Sequence, residues 1–127
     1  MIEPEIAADT VPLNLLKDQR RSSARYLCHI KALYNQDEKS QHQDETWNMA
    51  RIIDVSTCGI ALVLQRHLIP GTLLALEPLL PSWHPQWKLT ARIMNLCPGP
   101  KHSWRVGCEF VEPLTNDQLQ VLLQNSQ

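Results

Sequence analysis

Apolar and polar residues alternate through most of this chain, in short runs parted by turn-forming residues. From Ala24 to Tyr34, one face of an extended segment carries Tyr26, Cys28, Ile30, Ala32 and Tyr34, and the other carries Arg25, His29 and Lys31. A period of two over that length predicts a long first strand. "NQDEKSQHQDET", residues 35–46, is polar throughout and predicts a long, mobile hairpin loop. Strand character resumes in "WNMARIID" and again in "GIALVLQRH", and Pro70 and Gly71 mark the next turn. "TLLALEPLL" predicts a further strand, disturbed by Pro78. "QWKLTARIMNLC" follows, with Trp87, Leu89, Ala91, Ile93 and Leu96 as candidates for burial, and after "PGPKHS" the segment "WRVGCEFV" completes the set.

Six strands at short spacing, joined by turns rather than helices, point to an all-β domain, a small six-stranded antiparallel β-barrel. The C-terminal end has a different period. Thr115 with Gln118 three residues later forms a capping-box pattern, and Leu119, Leu122 and Leu123 then fall on one helical stripe. A C-terminal α-helix packed on the barrel is expected. At the other end, residues 1–18 read as a flexible segment preceding the domain. Within it, Thr10 as cap, Pro12 in a first turn and an inner face of Val11, Leu15 and Leu16 are the elements of a short helix.

Composition narrows the function. The chain has 127 residues, 43% of them hydrophobic, and a formal net charge of −1. That is one domain able to bury a core unaided, without the basic excess of a general DNA, RNA or anionic-membrane binder. Any anion site must therefore be local. Residues 17–31 hold five cations against Asp18, net +4, whereas residues 37–45 are net −3. Such an alternation is also what a solvated surface shows. Cys28, Cys58, Cys97 and Cys108 form no C-x-x-C pair. With no leader sequence and no apolar run of about 20 residues, the expectation is a reduced, cytoplasmic protein without membrane insertion, its cysteines mostly small core hydrophobes. Neither metal-ligand spacing, a glycine-rich phosphate loop nor a nucleophile elbow is present, so no enzymatic activity is expected.

Two short motifs carry the candidate chemistry. In "QRRSSARY", Arg20, Arg21 and Arg25 surround small residues only. Arg21 and Arg25 would lie about 13 Å apart in an extended chain, on the same side, and would converge if the segment turned. Guanidinium groups offer paired planar donors that match phosphate oxygens and the O6/N7 edge of guanine. In "DVSTCG", between two apolar strands, Asp54 offers acceptors, Ser56 donates or accepts, and Gly59 allows unusual backbone angles or a close approach. The same residues make a side-chain-stabilised turn, so this motif alone does not decide between structure and binding. Together the arginine cluster and the Asp–Ser turn are complementary to a guanine nucleotide, donors against one edge and acceptors against the other.

R-x-x-x-R at Arg21 to Arg25, D-x-S-x-x-G at Asp54 to Gly59, and the ending "VGCEFVEPLTNDQL" resemble the PilZ domain family, over about residues 19–124. The resemblance implies a receptor for the bacterial second messenger cyclic di-GMP, with no further cofactor. By that resemblance Arg21 and Arg25 would grip guanine and phosphate, Asp54 and Ser56 would hydrogen-bond guanine, and Gly59 would let the chain turn beneath the ligand. Arg20, directly before the motif, would go with a stacked pair of ligands. Ligand binding would order the arginine segment and signal to an unidentified protein partner. The alternative is a degenerate barrel that docks proteins without binding nucleotide, for which exposed aromatics would serve; Trp83, Trp87 and Trp104 lie in or near turns, though a lone tryptophan reads first as core packing or a half-buried edge.

Overall fold

Residues 24–36 and 47–125 are described by a computed structural model of the chain. The expected N-terminal helix, the flexible leading segment and the tip of the first hairpin lie outside the described residues. The elements are β1 (Tyr26–Gln36), β2 (Asn48–Val55), β3 (Gly59–Leu64), β4 (Leu73–Pro78), β5 (Leu89–Pro98), a short 3-10 turn (Pro100–His102), β6 (Trp104–Phe110) and α1 (Asn116–Gln124).

The six strands form a closed antiparallel barrel in the order β1-β2-β3-β6-β5-β4, with β4 pairing back onto β1. Closure explains why β1 outruns its apolar alternation. Asn35 and Gln36, expected to open the loop, continue the strand because they pair with Ala75 and Leu74 of β4. Pro78 does not interrupt its strand. It is the last residue of β4, where a missing N–H is tolerated, and Leu79 N–H resumes the contact by donating to Lys31 O at 2.9 Å.

Inward-facing positions of all six strands build one core, including Cys28, Ile30, Tyr34, Ile52, Ile60, Leu62, Leu74, Ile93 and Val106. The predicted inner face of β1 holds from Cys28 to Tyr34 and fails at Tyr26, which is 41% exposed. Tyr26 is the first residue of the strand, paired only with Val55, and a register shift separates it from Ile30. A second shift, between Ile93 and Asn95, explains why burial in β5 passes from Ile93 to a half-buried Leu96 and not to Asn95. Trp87 precedes β5 and is half buried against Trp83, edge to face at 4.9 Å. Cys28 and Cys108 are buried, Cys58 is intermediate and Cys97 is exposed, so the cysteines divide between core and surface.

The expected C-terminal helix is α1. Its capping box is complete: Gln118 N–H donates to Thr115 Oγ1 at 3.1 Å and Thr115 N–H donates to Gln118 Oε1 at 2.9 Å. Leu119 and Leu122 enter the barrel core from this helix, and Leu123 packs at its margin. The helix end is tied to the β4–β5 connection by Asn125 Nδ2, which donates to Ser82 Oγ at 3.1 Å.

Candidate functional site

The register of β1 on β2 brings the two motifs together. Tyr26 pairs with Val55 and Leu27 with Asp54, so the residue before β1 arrives beside the end of β2. Arg25 Nη2 donates to Asp54 Oδ1 at 2.5 Å, an ion pair between residues 29 apart in sequence. The partners are unequal. The Asp54 side chain keeps 11% of its accessible surface and the Arg25 side chain 55%. The carboxylate is a fixed part of the barrel wall, and the guanidinium reaches it from solvent. Burial, and secondly the Asp54 charge, push the neighbouring Cys28 thiol up to about 11.

The turn from β2 to β3 is built by Ser56. Its Oγ accepts the N–H groups of Cys58 at 3.2 Å and Gly59 at 3.0 Å, and its own N–H donates to Gly59 O at 2.9 Å. Ser56 is 2% exposed. The structural alternative left open by the motif is therefore realised: the serine hydroxyl is committed to the turn. Two further bonds fix the turn to the strand across the barrel wall and its extension, Phe110 N–H to Cys58 O and Leu114 N–H to Thr57 O, both 2.8 Å.

Gly59 serves a close approach and not an unusual backbone angle. Its φ is not in the left-handed region, which only Gly71, Lys101 and His102 occupy among the described residues. A Cβ at Gly59 would instead meet the backbone oxygen of Cys108 at 2.8 Å, so the glycine lets β3 close onto β6. What it positions is the turn, through strand packing.

Arg20 and Arg21 lie outside the described residues. Of the six expected site residues, Arg25, Asp54, Ser56 and Gly59 are brought to one end of the β1–β2–β3 sheet. Sequence reading missed Leu27, which is 84% exposed directly opposite Asp54 in the ladder. The outward phase of β1 was a signal for it, since Leu27 alternates with Arg25 and His29. Leu27 thus leaves an exposed apolar side chain on the strand that pairs with Asp54.

A family model, PilZ domain, matches residues 19–126. This chain belongs to the PilZ domain family. Solved PilZ-like structures agree on the fold. The Bacillus subtilis inhibitor of motility MotI/DgrA superposes with a TM-score of 0.58 at 21% identity, over 84% of this chain and 49% of that one. The PilZ domain with c-di-GMP of YcgR from Escherichia coli gives 0.55 at 16% identity, over 84% and 88%. The K. pneumonia MrkH–c-di-GMP complex gives 0.55 at 18%, over 84% and 51%. The chain thus spans about half the length of the motility inhibitor and of MrkH, and most of the YcgR domain. No curated protein matches the chain.

Proposed function

We propose that this PilZ chain is a cyclic di-GMP receptor rather than an enzyme, and that Arg25 and Asp54 lie at the centre of its ligand site. The observation that carries the reading is the meeting of the two motifs, with Arg25 and Asp54 in direct contact. Cyclic di-GMP as the ligand is supported by family membership and by the YcgR domain and MrkH, each solved with c-di-GMP.

The ligand exchanges partners with the resident pair. Arg25, mostly solvated, leaves Asp54 for the phosphate or Hoogsteen edge of a guanylate. The freed carboxylate then accepts the N–H donors on the opposite guanine edge. The guanidinium end of the resident pair is solvated, which weakens it, and the ligand's N–H donors replace the guanidinium at the buried carboxylate, each charge-assisted hydrogen bond contributing about 1.5–3 kcal/mol. Arg21 adds a second guanidinium, and Arg20 favours a stacked pair of ligands. Ser56 and Gly59 serve the site by holding the turn that carries Asp54. The rearranged arginine segment is the output to a partner in the cytoplasm.

Isothermal titration calorimetry of the full chain with cyclic di-GMP tests the proposal and gives the stoichiometry. Saturable heat that Arg25→Ala and Asp54→Ala each reduce at least tenfold is expected. Absence of binding by a folded wild-type chain would make it a non-binding, protein-docking barrel.

A further inference from the structure

Away from that site, the outer wall of the barrel carries a band of cations. Lys31 on β1 pairs with Arg51 on β2, Arg51 with Val63 on β3, and Val63 with Arg105 on β6. The four positions cross four adjacent strands, about 14 Å at strand spacing. Lys31, Arg51 and Arg105 are exposed, and Val63 is half buried among them. Like charges directly opposite on neighbouring strands are unfavourable. None of the three has an ion-pair partner among the described residues.

A shallow cavity of about 480 Å³ opens along this band, lined by Lys31, Arg51, Val63, Met49, Lys101 and Ser103 among others, with no carboxylate among the described residues of its lining. Met49 is 52% exposed and, with Val63, gives the cavity an apolar floor. Lys101 comes from the β5–β6 turn in a left-handed conformation, φ 54°, followed by His102 at φ 61°. Side-chain-bearing residues adopt that region only at a cost, and two in succession need surrounding structure to hold them. Here Ser103 supplies it. Gly99 N–H donates to Ser103 O at 2.9 Å, Ser103 N–H donates to Pro100 O at 3.0 Å, and Ser103 Oγ donates to the same carbonyl. The turn holds a third cation over a floor already flanked by two.

The geometry points to a docking groove for a short acidic segment of a partner protein, extended across the strands, its carboxylates on Lys31, Arg51 and Lys101 and one apolar side chain against Met49 and Val63. The width of the band corresponds to about four or five extended residues. Charge complementarity selects an acidic occupant. The apolar floor, the methionine able to repack around a side chain, and the absence of an aromatic ring among the described lining residues select peptide over nucleic acid, which stacks its bases on aromatics. The groove is separate from the Arg25–Asp54 pair and does not depend on nucleotide binding.

The test is a titration of the isotope-labelled full chain, followed by backbone amide NMR, with a five-residue peptide of one leucine flanked on each side by two acidic residues. Its glutamine–asparagine counterpart and a mixed-sequence single-stranded oligonucleotide are the other arms. Saturable shifts at residues 49–51, 63 and 101–103 with the acidic peptide alone are expected, together with at least tenfold weaker binding in Arg51→Glu and in Lys101→Glu. Because both residues are exposed, the reversals should fold. Should a melt show otherwise, Arg51→Gln and Lys101→Gln take their place, with weakening still expected. Shifts elsewhere or none, undiminished binding in the variants, equal binding of the neutral peptide, or tighter binding of the oligonucleotide at the same amides would each overturn the proposal.

Discussion

Arg25 and Asp54 meet at 2.5 Å across a gap of 29 residues, one partner largely solvated and the other set into the barrel wall. That asymmetry makes the arginine the movable member of the pair. It also separates the contribution of the contact to folding from its contribution to binding. With its guanidinium in solvent, the pair adds on the order of 1 kcal/mol to stability, and water can reach the carboxylate from the Arg25 side once the arginine is gone. Arg25→Ala is therefore expected to leave the melting temperature within a few degrees of wild type while weakening cyclic di-GMP binding about ten- to a hundredfold, the loss of one charge-assisted hydrogen-bonding group. Calorimetry and thermal melts on the same preparation check both halves.

Asp54 offers a finer distinction. Asparagine keeps one carbonyl acceptor in place for a guanine N–H and for Arg25, whereas alanine keeps none. Asp54→Asn should bind the messenger more tightly than Asp54→Ala and less tightly than wild type. A titration series over the three proteins reads that order, and equal affinity in the two variants would remove Asp54 as an acceptor for the ligand.

The turn residues act through the fold. Ser56→Ala leaves the Cys58 and Gly59 amides without their acceptor in a largely buried turn. A cost of about 1–3 kcal/mol is expected. Gly59→Ala forces a methyl group into the Cys108 carbonyl, with a cost of the same order from overpacking between β3 and β6. Urea denaturation should show a lower midpoint for both, and any loss of ligand affinity should be partly recovered at lower temperature, where the turn is better populated.

The thiols give a pH dependence. Burial pushes Cys108 up to about 12 and Cys28 up to about 11, against an ordinary 9.0. Unfolded thiols lose protons at lower pH than these folded ones, so their protonation favours the native state. The contribution is complete below pH 9.0 and is lost as pH rises toward about 11 and 12. Stability should fall progressively across that alkaline window, and less steeply in Cys108→Ala once its own cavity cost is subtracted. At pH 8, iodoacetamide should modify the exposed Cys97 first and reach Cys28 and Cys108 only after denaturation.

The strands and the helix were legible because each rests on a local signal, alternation or a capping box, whereas the meeting of Arg25 with Asp54 was anticipated only from the way the two motifs complement one ligand and from the family they resemble. Register shifts were not. The shift between Leu27 and Ile30 depends on how β1 fits β2, and it leaves Tyr26 exposed against its apolar character. The purpose of Gly59 was equally hidden, since the carbonyl it accommodates is 49 positions away at Cys108. Ser56 could be read as turn builder or ligand contact, and only the positions of the Cys58 and Gly59 amides show the first role in this structure. The cationic band was invisible for the same reason as the register. Lys31, Arg51 and Arg105 become neighbours only through pairing across β2, β3 and β6.

The closure of β4 onto β1 has one more consequence. Each of the six strands pairs with two neighbours, so among the described residues the sheet has no edge strand open along its whole length to strand addition. This guards the domain against edge-to-edge aggregation. It also means that another protein recognising the paired part of the wall meets side chains there, whose charge and shape vary with sequence, and not the main chain that all barrels of this kind share.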